Sequence, residues 1–173
     1  MIVDCRATFM SFLFLITACN LQAQPPQHIV DLVVKKVNEV RSKSLRCGNK
    51  VMPPVKPIKW NNMLHETAKN HAMEMEQYNY FGHKSINGLD VSERFDKYGY
   101  FWRNAGENLG EGQKYFEQVL TDWIKSPSHC KTLMHPDMED MGVAKYGKYW
   151  VQHFGRHMPP GHKRVNERYT ENN

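Results

Sequence analysis

The apolar residues of this chain change their spacing once, and that change decides the class of fold it can enter. As far as about residue 134 they recur every three or four positions, the period of a helix with one buried face. From Met141 they alternate, which is the period of a strand. Helical patterns first and one hairpin late give a layered α+β architecture rather than a wound series of strand–helix–strand units. No internal repeat and no interdomain linker interrupts the pattern, and 173 residues suit one compact domain.

The spacing predicts a first helix over residues 27–44, with Ile29, Val33, Val37 and Val40 as its apolar stripe and Asp31, Lys35, Lys36 and Glu39 opposite. Residues 51–57 carry three prolines and cannot be helical, because proline has no amide donor to give. A second helix is expected over residues 61–78, where Trp60, Leu64, Ala68, Ala72 and Met75 share a face and His71 beside them is expected to pack. Asp90 and Glu93 have the form of a capping box, opening a short helix that stops near Tyr98 with Gly99 after it. Residues 113–125 form another amphipathic stretch, carrying Tyr115, Phe116, Val119, Leu120, Trp123 and Ile124. Ser126 followed by Pro127 restarts the chain as N-cap and first helical residue of a helix bearing His129 and Cys130. Two strands, residues 141–145 and 149–154, are joined by a turn over Tyr146, Gly147 and Lys148.

The N-terminus points to export. Residues 9–18 (FMSFLFLITA) are apolar, follow Arg6 and precede polar Asn20, Gln22 and Gln24. A spanning helix needs about 20 apolar residues, so this stretch has the length of a secretory leader's core. The expected division is a leader over residues 1–23, removed after Ala23, a domain over residues 24–155 and a polar tail over residues 156–173. Ile16-Thr17-Ala18-Cys19 resembles a lipoprotein processing box, so an anchor through an acylated Cys19 is the alternative to a soluble secreted or periplasmic protein. Either way Cys47 and Cys130 remain, an even pair in an oxidising compartment, with two buried free thiols as the other reading. The net charge of +5 is mild and its Lys and Arg are scattered, with no basic run interleaved with aromatics, so nucleic acid is not an expected partner.

Three polar residues stand in settings suited to presenting them. His83 follows the second helix, in Phe81-Gly82-His83-Lys84-Ser85. Glu107 sits in Ala105-Gly106-Glu107-Asn108-Leu109-Gly110, where small residues allow close backbone approach. His129 lies in the first turn of its helix, whose positive end favours the neutral imidazole that binds metal. With nine His in the chain, spacing alone leaves open that these are unrelated surface or capping residues. Other templates fail: the residue four after His65 is Lys69, so the zinc-protease pair is incomplete. Gly110-Glu111-Gly112 lacks the Lys-Ser/Thr of a phosphate loop, and no Gly-x-Ser-x-Gly elbow occurs. His153 is placed on the last strand and His157 beyond it, so the two are not expected to share a face.

Taken in order, five motifs carry a resemblance: Phe81-Gly82-His83-Lys84-Ser85; Ala105-Gly106-Glu107-Asn108-Leu109; Trp123-Ile124-Lys125-Ser126-Pro127-Ser128-His129-Cys130; Met141-Gly142-Val143-Ala144; and Tyr149-Trp150-Val151-Gln152 with Phe154-Gly155. From about Val30 to Gly155 the chain resembles the CAP superfamily of SCP-like domains, which includes cysteine-rich secretory proteins, venom antigen-5 and plant pathogenesis-related-1 proteins. The Trp-x-x-Ser-Pro-Ser-His-Cys form, with Arg46-Cys47-Gly48 upstream, is similar to the bacterial branch. The resemblance implies an α-β-α sandwich with a small antiparallel sheet between helical layers. It also implies a Cys47–Cys130 bridge pinning the end of the first helix to the His129 helix, and a cleft in which two His and two acidic residues meet. By motif, His83 and His129 are the His pair that can hold zinc or another divalent cation, weakly, and Glu107 is the first acidic residue. The second acidic position is Ser126 here, so the set is incomplete.

With one carboxylate to serve as ligand or as base, the cleft is better suited to reversible binding than to efficient hydrolysis. The leading expectation is a monomeric secreted binding protein whose cleft takes a lipid, glycan or peptide. The alternatives are a metal-assisted hydrolase using Glu107 and the His pair, and a structural envelope protein with a vestigial cleft. Contact with a membrane is expected only if Cys19 is lipidated.

Overall fold

A computed structural model describes residues 24–158; residues 1–23, where a leader is expected and which hold Cys5 and Cys19, and residues 159–173 lie outside the described residues. The elements run α1 (Gln27–Arg41), β1 (Leu45–Cys47), β2 (Lys50–Met52), β3 (Lys59–Trp60), α2 (Asn62–Tyr78), α3 (Val91–Lys97), β4 (Trp102–Glu111), α4 (Phe116–Lys125), α5 (Pro127–Leu133), β5 (Asp140–Tyr146) and β6 (Tyr149–His157). The class is α+β. One sheet has the order β3-β5-β6-β4, antiparallel except for the short β3–β5 pairing; β1 and β2 form a separate hairpin.

Alternation along the sheet strands sorts their side chains into two cores. Met141, Val143, Trp150 and Phe154 face α1, α4 and α5, where they pack with Val33, Val37, Val119, Leu120, Trp123 and Leu133. Ala144, Tyr149, Val151 and Leu109 face the opposite layer and meet Ala68, Ala72 and Met75 of α2. Two helical layers on a central sheet is the α-β-α arrangement. α2 lies very close to the strands: a Cβ on Gly142 would fall on the backbone of Leu64 and His65. Only glycine permits that approach.

Several boundaries differ from expectation. α1 stops at Arg41, short of the expected 44, and the Arg41 side chain turns inward, fully buried, donating to the carbonyls of Lys56, Leu133 and Met138. Burial pushes its pKa down to about 10. The buried stripe of α1 is Val30, Val33 and Val37; Ile29 is exposed and Val40 is half-buried. α4 begins at Phe116 rather than residue 113, since the Gln118 side chain accepts from the amides of Lys114 and Tyr115 and so caps the helix there. Ser126 stands at the N-cap of α5 with Pro127 in the first turn, but its hydroxyl meets that of Ser128 rather than a helix amide. The capping box at Asp90 and Glu93 forms as expected, and Gly99 takes φ +77°. β6 runs on to His157, two residues past the expected domain end at 155.

Cys47 and Cys130 are disulfide-bonded, with Cα atoms 5.4 Å apart. The bridge leaves from the β1–β2 hairpin rather than from α1 itself. Gly48 turns that hairpin at φ +67° and faces the Pro127 ring so closely that a Cβ would stand 2.9 Å from its Cβ.

Candidate functional site

β4 is the edge strand of the sheet, and its stretch from Glu107 to Gly110 is buried. The loop after α2, carrying His83, approaches from one layer. From the other comes α5, and Asn108 of β4 donates to the carbonyl of His129. Side-chain alternation turns Glu107 toward the α2–α3 layer, directly opposite His153 of β6 in the strand register.

Glu107 is the centre of a buried network. Its Oε1 accepts from His83 Nδ1 at 2.7 Å. Its Oε2 accepts from His153 Nε2 at 2.8 Å and from the Arg94 guanidinium, with His71 Nε2 3.8 Å away. The carboxylate side chain is only 2% exposed, whereas that of His83 is 63% exposed. Burial alone would raise the pKa of Glu107, but the hydrogen bonds from His153 and His83 and the charge of Arg94 outweigh it. The group is held well below the ordinary carboxylate range, so it stays ionised and is a poor proton acceptor.

The imidazoles divide by environment. The hydrogen bond to Glu107 raises the pKa of His83. Burial lowers that of His129, and the nearby His83 lowers it further. Burial also lowers His153 and His71. His153 lies between Glu107 and the Thr67 hydroxyl, with Phe95 edge-on at 5.1 Å between ring centroids. His71 packs under the loop as expected, its Nε2 3.0 Å from the Gly82 carbonyl. Ser126 is half-buried at the start of α5.

Of the residues expected in the cleft, Glu107 and His83 are in direct contact, and His129 is near enough to His83 to feel its charge. Arg94 and His153 were not expected. His153 sits on the inward face of β6 with Tyr149 and Val151, and an ionisable residue in that phase was the available signal. Its partner was hidden because β4 carries too many glycines and polar residues to announce a strand. Arg94 follows the capping box beside buried Phe95, where an unpaired charge would be costly. Among the described residues, no three His, Cys, Asp or Glu side chains are arranged to hold one metal ion.

Residues 34–154 match the family model described as the cysteine-rich secretory protein family, CAP. The chain belongs to the CAP family. YkwD of Bacillus subtilis is 30% identical over 102 residues, which is 58% of this chain and 40% of that protein. The fold is also that of an extracellular SCP-domain protein from Bacillus anthracis, with a TM-score of 0.65 at 22% identity, over 78% of this chain and 45% of that one. An outer surface protein of Borrelia burgdorferi gives 0.61 at 18% identity, over 76% of this chain and 92% of that one. This CAP chain thus spans less than half of YkwD. Within the CAP domain, the region of β4 flanked by His83 and His129 is the candidate cleft.

Proposed function

We propose that this chain is an exported CAP domain acting as a binding module, whose cleft presents imidazole nitrogens from His83 and His129 to a weakly held divalent cation and to a lipid, glycan or peptide ligand. The observation that carries this reading is the burial of Glu107. The one carboxylate at the centre of the cleft is enclosed and already accepts three hydrogen bonds, so it is free neither to ligate an ion nor to take a proton. What faces the opening is imidazole. The donor set fits an ion through two nitrogens only, with the other positions left to water or ligand, which is why the affinity is expected to be modest. A bound zinc would supply Lewis acidity and an exchangeable coordination position. A His whose second nitrogen is held by a carboxylate is well prepared for such ligation. The hydrolase reading, which needs Glu107 as base, has no matching feature in this geometry.

Export is supported by the apolar leader, by the Cys47–Cys130 bridge, which belongs to an oxidising compartment, and by the extracellular and outer-surface proteins that share the fold. Among the described residues no helix is long and apolar enough to cross a membrane.

Titration calorimetry with zinc chloride tests the metal part. Wild type is expected to show saturable heat that His83→Ala combined with His129→Ala removes, while the melting curve of the double variant stays cooperative. No saturable heat from wild type would overturn it.

A further inference from the structure

We propose that Arg94 and His153 are positioning residues that, through Glu107, fix the ring of His83 in a single tautomer with its Nε2 lone pair turned to the cleft. This deepens the binding-module reading and rests on it for the purpose of the fixed ring.

The geometry forms a closed circuit. One nitrogen of Arg94, Nη1, donates to the backbone carbonyl of His83 itself at 2.9 Å, and to that of Leu89 at 3.0 Å. The other, Nη2, donates to Glu107 Oε2. The opposite oxygen of the same carboxylate takes the ring proton of His83. One guanidinium therefore holds both the main chain of His83 and the group its side chain is aimed at. The planar fork of arginine spans these two acceptors; a lysine ammonium, a point charge on one stem, cannot reach both in the same way.

The proton inventory follows. Glu107 is ion-paired with the Arg94 guanidinium and only accepts. His83 Nδ1 and His153 Nε2, both facing it, must then each carry hydrogen. Burial disfavours the charged form of His153, and its Nδ1 faces the Thr67 hydroxyl at 2.8 Å, whose single proton is shared between this nitrogen and the Leu64 carbonyl at 2.9 Å. His153 thereby presents a donor to Glu107 without a buried second positive charge. The carboxylate, held from behind by Arg94 and His153, cannot rotate away from His83. A charge-assisted hydrogen bond of this kind biases the neutral His83 ring toward the Nδ1–H form by about tenfold or more.

The test is a long-range proton–nitrogen correlation spectrum of the metal-free full chain labelled with 15N-histidine, at a pH above the His83 titration. Resonances are assigned by their absence in His83→Gln. Wild type is expected to show His83 at least about tenfold in the Nδ1–H form. Arg94→Lys and His153→Gln should bring the ratio near unity, and Thr67→Val should lower it less. Glu107→Gln should invert it, because the amide can present a donor to Nδ1. A mixed tautomer in wild type, or an unchanged ratio in His153→Gln and Thr67→Val when both melt cooperatively, would overturn the proposal. Should Arg94→Lys fail to fold, those two variants still decide it. Metal is absent throughout, so a missing zinc response overturns the metal part of the binding reading and leaves this inference standing.

Discussion

At the scale of the residue, Glu107 is the position with most at stake. Removing one partner of a buried ion pair strands the other, and Arg94 is as enclosed as the carboxylate it meets. Glu107→Ala is therefore expected to lose about 3–5 kcal/mol in urea unfolding, by leaving a buried guanidinium uncompensated. The pH dependence has a definite sign. The pKa of Glu107 is depressed in the folded state, so its contribution is fully present above the unfolded carboxylate value of about 4.3 and is lost as pH falls below it. The urea midpoint of wild type should decline more steeply below about pH 4 than that of Glu107→Gln. A parallel decline would show that the carboxylate is not the acid-sensitive group. Motif order over the sequence was enough to single out His83, Glu107 and His129. It was silent on Arg94 and His153, which act by what they touch across two layers, and a single chain shows no such contacts.

At the scale of the element, the legible pieces were those whose stability is local. The capping box of α3, Pro127 in the first turn of α5 and the turn before Tyr149 each depend on residues within a few positions of one another. β4 was not legible: its ten residues include Gly106, Glu107, Asn108 and Gly110, and it is a strand only because β6 lies beside it. Even its glycine has a reason that only packing reveals, since a Cβ on Gly110 would meet the Val119 side chain. The β1–β2 hairpin was also hidden, lying beside proline-rich sequence and tied down by a bond to a residue 83 positions away. Cys47→Ser is expected to lower stability by about 2–4 kcal/mol, chiefly by freeing the unfolded chain. Comparing urea midpoints of this variant with oxidised wild type checks the figure; equal midpoints would mean that hairpin packing, not the bond, holds α5.

At the scale of the whole molecule, the change of apolar period gave the layered class correctly, because burial on two faces of one sheet imposes it. What it could not give was the distance between layers. That distance is set at Gly142, where α2 rests on β5. Gly142→Ala is expected to cost about 3 kcal/mol, the upper end for overpacking, because the obstacle is helix backbone and not a side chain that can swing aside. A melting curve within error of wild type would show that the two layers can part cheaply.

The bridge between the hairpin and α5 has a temporal meaning as well. Cys130 is the next residue after His129, so one wall of the cleft is secured by chemistry that a reducing cytosol does not permit. On the proposed export route, a chain still waiting for translocation would carry His129 on a helix without its cross-link. On that same route the proposed cleft would mature only after export, and a precursor inside the cell would lack the finished form of the proposed site.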